Sequence, residues 1–269
     1  MPRYLRTLVA ACALVSLQLS VPNTAQAQDE ETDDSAPQVE TREPDLQVAA
    51  DRPGASDGSA ITPIGHVQVE TGFQMTFAPG GQTYDLAGTL GRIGLTDYLE
   101  ARLSASPVTI SSPRSGETTA EPLSTLQLGA KIGGALSDEV AVAIRPFGNL
   151  QAPTGSTTWE AGANGIVDLG TDSKVGMTLN LAFSSAENGS GKRGLATFAA
   201  VTASGSLPGK GGIYFELFGN VPPDRVPRLF FDTGLTYLVT PRVQLDAFIG
   251  IDVTEATERF VGLGAAFLI

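Results

Sequence analysis

The stretch His66-Val67-Gln68-Val69-Glu70-Thr71-Gly72-Phe73-Gln74-Met75-Thr76-Phe77 alternates without a break. Val67, Val69, Thr71, Phe73, Met75 and Phe77 fall on one face; His66, Gln68, Glu70, Gly72, Gln74 and Thr76 fall on the other. A period of two marks a strand with one face in an apolar setting and the other in a polar one. The pattern returns near the end of the chain, where Val243, Leu245, Ala247, Ile249 and Ile251 oppose Gln244, Asp246, Phe248, Gly250 and Asp252. Nothing after Ala60 keeps helical spacing for more than a turn or two.

Working outward from these two segments predicts twelve strands. They lie near 66–77, 84–95, 98–107, 123–133, 139–148, 158–169, 174–184, 194–205, 212–221, 229–239, 242–252 and 259–269. The second and eighth alternate least, because both of their faces are small or mixed. Each strand has about ten residues, enough to cross a hydrocarbon layer at a tilt. An even count is the rule for bacterial single-chain barrels. Connections alternate in length. Leu95-Thr96-Asp97, Ser137-Asp138, Thr171-Asp172-Ser173, Pro208-Gly209-Lys210 and Thr240-Pro241-Arg242 are tight turns, with longer polar links at 108–122, 149–157, 185–193, 221–228 and 253–258. Short periplasmic turns facing longer external loops are the layout of outer-membrane barrels. The link Ala78-Pro79-Gly80-Gly81 is shorter than that rule predicts.

Soluble and membrane barrels both alternate, so the sense of the alternation decides between them. The polar faces here are mostly Gly, Ala, Ser, Thr, Gln and Asn with isolated charges, which suits a wet interior better than a water-facing exterior. The last strand carries Val261, Leu263, Ala265, Phe267 and Ile269 on one face, right up to the carboxylate. A closing strand that faces lipid accounts for that, and closure removes the open edges that lipid cannot satisfy. The expected fold is therefore all-β, a transmembrane antiparallel up-and-down barrel in the outer membrane.

The first residues are expected to be outside that fold. Arg3 and Arg6 precede an apolar run from Leu8 to Val21, and Ala25-Gln26-Ala27 is a small-x-small site, so 1–27 reads as a cleaved signal peptide. The single cysteine, Cys12, lies inside it, leaving the mature chain without thiol, disulfide or thiolate metal site. Residues 28–60 hold ten Asp or Glu against Arg42 and Arg52, include Pro37, Pro44 and Pro53, and have few large apolar residues. This composition predicts an acidic, disordered periplasmic segment, or a plug for the barrel of residues 61–269. The chain's net charge of −12 gives no basic patch for nucleic acid.

Several motifs carry a resemblance. They are Asp51-Arg52-Pro53 followed by Pro63, Gly65, Gln68, Glu70, Gly72 and Phe73; Gly94-Leu95-Thr96-Asp97-Tyr98-Leu99-Glu100; and Asp232-Thr233-Gly234-Leu235-Thr236-Tyr237. Thr240-Pro241, Gln244-Leu245-Asp246 and Val261-Gly262-Leu263-Gly264 complete the set. With these the chain resembles, over most of 51–269, the outer-membrane transporters labelled "MetA-pathway of phenol degradation". The resemblance implies uptake of aromatic compounds. Two departures stand out: Gly54 to Ser59 lacks the acidic Asp-x-Thr-Glu-Ser of the family, and the chain ends in Ile269 rather than an aromatic residue.

Catalytic chemistry finds little support. The only histidine, His66, starts the first strand at the expected periplasmic rim, the wrong end for a barrel hydrolase that works at the outer rim. No His or Cys cluster suggests a metal or another cofactor, and a non-enzyme is expected. By parity, Glu70, Arg92, Glu100, Arg102, Lys131, Arg145, Glu160, Asp168, Lys174, Glu216, Asp232 and Asp246 point into the lumen. They either line a pore and select solutes or pair across strands and stiffen the wall. Tyr214, Phe218, Phe230 and Phe248 also fall on the inner face. Their rings either receive an apolar ligand, which could leave sideways into the membrane, or pack on one another. Asp51-Arg52-Pro53 is the candidate plug, with Arg52 expected on an inward carboxylate such as Glu70 or Glu100. The expected role is a monomeric channel for passive diffusion of small solutes, aromatic or hydrophobic ones included. Its partners would be membrane lipid and the barrel-assembly machinery. The alternative is a structural or adhesion barrel with a blocked lumen.

Overall fold

The computed structural model describes residues 46–151, 158–171, 174–188, 190–223 and 225–269. The predicted signal peptide and the acidic residues 28–45 lie outside the described residues. So do parts of the links at 149–157, 171–173, 185–193 and 221–228. Twelve antiparallel strands close into one barrel, each pairing with its neighbours in sequence, and β1 closes on β12. They are β1 (Val67–Ala78), β2 (Gly81–Thr96), β3 (Leu99–Pro113), β4 (Thr119–Ser137), β5 (Val140–Gln151) and β6 (Thr158–Leu169). β7 (Val175–Glu187), β8 (Arg193–Ser206), β9 (Gly211–Val221), β10 (Arg228–Thr240), β11 (Val243–Asp252) and β12 (Arg259–Leu268) complete the wall.

The alternation has the predicted sense. Leu103, Leu128, Ile144, Leu181, Phe215, Leu235, Leu245 and Leu263 are exposed on the outside. The largest fully covered side chains are Arg92, Lys131, Gln68, Glu70, Glu100, Glu216, Asn164, Asp232 and Asp252, with Ile166 as the one apolar residue among them. A soluble domain would invert this arrangement. An oily belt around a polar interior is the membrane-barrel solution.

The wall is uneven in height. β2, β3 and β4 have 16, 15 and 19 residues, whereas β11 and β12 have 10 each. The predicted loop 108–122 is therefore mostly strand, and only residues 114–118 connect β3 to β4. The weak alternation of β2 also has a cause. The register slips between Gly72 and Gln74 of β1, so that Gly72 pairs with Gly88 but Gln74 with Asp85. Ala87 sits at this bulge with φ of 56°. One extra residue swaps the faces of a strand. Arg92 thus faces inward from an even position, and Asp85, beside Gln74 and Thr109, from an odd one.

Candidate functional site: a lumen crossed by its own N-terminal segment

The residues before β1 run through the interior of the barrel. Val48 is buried against Ala266 and Leu268 at the base of β12, and its amide donates to the Pro241 carbonyl. From there the chain crosses to the far wall and returns to β1 through a bridge between Ile64 and Gly94. This segment has no secondary structure of its own. Its polar backbone must find partners elsewhere, and the inward side chains provide them.

Four wall carboxylates each take two donors from the segment. Glu70 of β1 accepts the amides of Asp51 and Arg52 at 3.2 and 3.0 Å. Glu216 of β9 accepts those of Ala55 and Ser56 at 2.5 and 3.0 Å. Asp168 of β6 accepts the Ser59 amide and hydroxyl at 2.7 and 2.6 Å. Glu100 of β3 accepts the Thr62 amide and hydroxyl at 2.8 and 2.9 Å. The cations complement them from β2 and β4. Arg92 donates to the carbonyls of Ala49 and Ala60, and Lys131 to those of Gly58 and Ala60. Asn180 binds both the amide and the carbonyl of Asp57. The wall solvates a peptide much as water would, but in one fixed conformation.

The side chains of the segment add charge to this network. Asp51 pairs with Arg102 at 2.6 Å, Lys131 at 3.0 Å and Arg92 at 3.6 Å. Burial alone would raise its carboxyl, but Arg92, Lys131 and Arg102 together override that and hold it well below the usual carboxylate range. Asp57 pairs with Arg102 and Arg145 at 3.0 and 2.6 Å. Arg92 also binds Glu100 and Glu70 at 2.9 and 3.2 Å. Arg52 meets an inward carboxylate as expected, but its guanidinium takes neither Glu70 nor Glu100. Glu70 and Glu100 are already engaged by Arg92 and by segment amides. The Arg52 guanidinium instead turns to Asp246 of β11 at 3.4 Å, over the Phe248 ring. The Arg52-Pro53 peptide is cis.

Of the predicted lumen residues, Glu70, Arg92, Glu100, Arg102, Lys131, Glu216, Asp232 and Asp246 are buried. Arg145, Glu160 and Asp168 are partly exposed, and Lys174 is exposed at the short-turn end. Glu160 is hydrogen-bonded to Ser184, and Asp232 accepts from the Tyr214 hydroxyl at 2.9 Å. The predicted aromatic residues pack on one another. Phe218 stacks on Phe230 with centroids 5.1 Å apart, and Phe260 joins Phe218, Phe230 and Phe248. Phe260 was missed from the sequence although it follows the inward parity of Gly262 and Gly264. The partners Asp57, Ser56, Ser59 and Thr62 were missed because the stretch that holds them has no periodicity. His66 precedes β1, with Nδ1 3.0 Å from the Ile64 carbonyl. Among the described residues, no group of three or more His, Cys, Asp or Glu is arranged to hold a metal ion.

Open space lies on both sides of the crossing. A cavity of about 1020 Å³ opens among the short turns and is lined by Arg52, Ser59, Asp168, Lys174, Tyr214 and Gln244, among others. A second, of about 430 Å³, lies toward the longer loops and is lined by Phe147, Glu160, Ser184, Phe198 and Asn220, among others. The two have no lining residue in common.

Comparison with solved structures identifies the fold. An outer membrane channel from Pseudomonas putida F1 matches with a TM-score of 0.58 at 17% identity, covering 81% of this chain and 99% of that one. The NanC porin matches with a TM-score of 0.51 at 10% identity, covering 73% and 98%. These likenesses establish the fold, a closed β-barrel like those of outer membrane channels and porins. A search of curated proteins by sequence found no match. Residues 50–269 match the family described as "Putative MetA-pathway of phenol degradation". That range includes Asp51, Arg52 and the rest of the crossing segment up to β1.

Proposed function

The chain belongs to that family, and from this premise we propose that it is an outer-membrane channel for passive diffusion of small solutes whose lumen is closed by its own residues 46–63. One observation carries the reading. The segment's amides and carbonyls are held by wall carboxylates and cations between two cavities that share no lining residue. A wall used only for structure would pair its charges across strands, as Arg92 and Glu100 do. Here Glu216 and Asp168 have no cationic partner among the described ion pairs and spend their acceptors on the segment instead. Such a seat can be vacated without unfolding the barrel, because water can replace the peptide.

The passage is narrow, as twelve strands fall between the filled eight-stranded barrels and the open sixteen-stranded ones. Aromatic or hydrophobic solutes are included on the strength of the family's description; the rings of Phe218, Phe230, Phe248 and Phe260 are packed on one another, and of that cluster Tyr214 alone lines the larger cavity. The reading includes export by the 1–27 signal peptide, insertion by the barrel-assembly machinery, a monomeric state and no catalytic role.

Deleting residues 28–60 and recording single-channel conductance in planar bilayers tests it. The truncated barrel is expected to conduct several-fold more than the full chain. Unchanged conductance, with the barrel folded, would favour the structural or adhesion barrel with a blocked lumen.

A further inference from the structure

We propose that the recess filled by the Arg52 guanidinium is a binding site for an organic cation. Its ligand would be a guanidinium or primary ammonium group on a small solute, which takes the place of Arg52 when the segment withdraws. This rests on the closed-channel reading and adds to it a solute class.

The recess is built from the wall. Gly72 of β1 and Gly264 of β12 are direct cross-strand partners at the seam of the barrel. A methyl group at either position would overlap the Arg52 guanidinium. Two facing glycines therefore carve a slot about one planar cation deep. Asp246 closes one side, 3.4 Å from Arg52 Nη2, and the Leu263 carbonyl accepts from the same nitrogen at 3.4 Å. The Phe248 ring lies 5.8 Å from the guanidinium carbon. A carboxylate, a carbonyl and a ring face around a slot make up the chemistry that recognises an organic cation.

The fit of Arg52 is incomplete. Asp246 Oδ2 is buried without a hydrogen-bond partner, and so is Arg52 Nε. The Asp246 side chain is wholly covered while that of Arg52 is 23% exposed. Arg92, by contrast, makes six hydrogen bonds from its three nitrogens. The tethered cation at Asp246 is thus held loosely over an acceptor that it does not saturate. The slot also has an entrance, because Arg52, Tyr214, Thr236 and Gln244 all line the larger cavity.

The energetics couple the two occupants. When the segment leaves, Asp246 loses its cationic partner Arg52 and keeps only water in the recess. A cationic solute restores such a partner, whereas a neutral or anionic one does not. Solute entry and plug release then compete for one carboxylate.

The test uses the full-length protein in detergent and ethylguanidinium chloride as probe, with sodium chloride of equal ionic strength as the control. Arg52→Ala is expected to bind the probe saturably, about tenfold or more tighter than Arg52→Ala/Asp246→Asn. Equal binding by the two would overturn the proposal. A second measurement serves if Arg52→Ala does not fold. A Val48→Cys reporter, buried at the base of β12, should be labelled by a thiol reagent faster when the probe is added, and Asp246→Asn should abolish that acceleration. Acceleration that persists in Asp246→Asn would also sink the proposal. Saturable binding in a barrel that never conducts would uphold the site and refute the channel; conductance without Asp246-dependent binding would do the reverse.

Discussion

The two sides of the lumen hold the same segment by different means. On the β1–β4 side, Glu70, Glu100, Arg92, Arg102 and Lys131 close around Asp51 in a continuous network of buried charges. On the β9–β12 side, Glu216, Asp232 and Asp246 stand among Tyr214, Phe230, Phe248 and Phe260, and among the described ion pairs these three carboxylates have Arg52 as their one cation. On the first side the carboxylate oxygens of Asp51, Glu70 and Glu100 all have donors and only Arg102 Nε lacks a partner; the second leaves the carboxylate oxygens Asp232 Oδ1 and Asp246 Oδ2 without one. A network whose acceptors are all taken anchors, and one with open acceptors can exchange. The plug is accordingly pinned at one wall and only latched at the other.

The largest effect should come from breaking the anchor. Asp51→Ala leaves Arg92, Arg102 and Lys131 buried with an excess of positive charge, at a cost of about 3–5 kcal/mol. Thiol labelling at Val48→Cys should then rise at least a hundredfold, while the barrel itself stays folded. A change no larger than that of a latch variant would erase the distinction between the two sides. Gly264→Ala attacks the latch. The methyl group displaces Arg52 at a cost of about 1–3 kcal/mol, so labelling should increase less than for Asp51→Ala and conductance should rise modestly. Phe218→Leu should do less still. It removes the stacking on Phe230, worth about 0.5–1.5 kcal/mol beyond buried area, and should lower the urea midpoint of the barrel without releasing the segment.

The smallest effect is expected from mild acid. Asp51 is held well below the usual carboxylate range by Arg92, Lys131 and Arg102, with Glu70 and Glu100 facing the same cations. A carboxylate depressed in the docked state contributes fully above its free value and loses its contribution only as pH falls through the lower one. The difference in open probability between the native chain and Asp51→Asn should therefore be flat from about pH 7 to pH 5 and shrink only below about pH 4. A difference that shrinks above pH 5 would mean that the anchor is weaker than its geometry.

The barrel was legible in the sequence because lipid and lumen impose a period of two on every strand. Strand count, order and the inward parity of the charged residues followed from that alone. β2 was hard to read for a physical reason, since the bulge at Ala87 swaps its faces midway. The loop 108–122 was overestimated because Thr109 and Ser124 continue a polar, hydrogen-bonded wall above the oily belt, where alternation no longer marks a strand. The crossing segment was legible only as a possibility. Gly54-Ala55-Ser56-Asp57-Gly58-Ser59-Ala60 is recognised largely through its amides and carbonyls, which every sequence carries alike. Composition suggested disorder there because the partners that order the stretch are as much as 161 residues away. Arg52 was matched to Glu70 and Glu100 rather than to Asp246 for a related reason: parity tells which side chains face the lumen, not which are already taken.

The distribution of the plug's contacts also sets a clock. Its partners come from β1, β2, β3, β4, β5, β6, β7, β9 and β11, and Val48 needs the base of β12. No subset of hairpins can offer that surroundings, so the segment can settle only once the ring has closed. If the closed-channel reading holds, the newborn barrel is unstoppered until that last step.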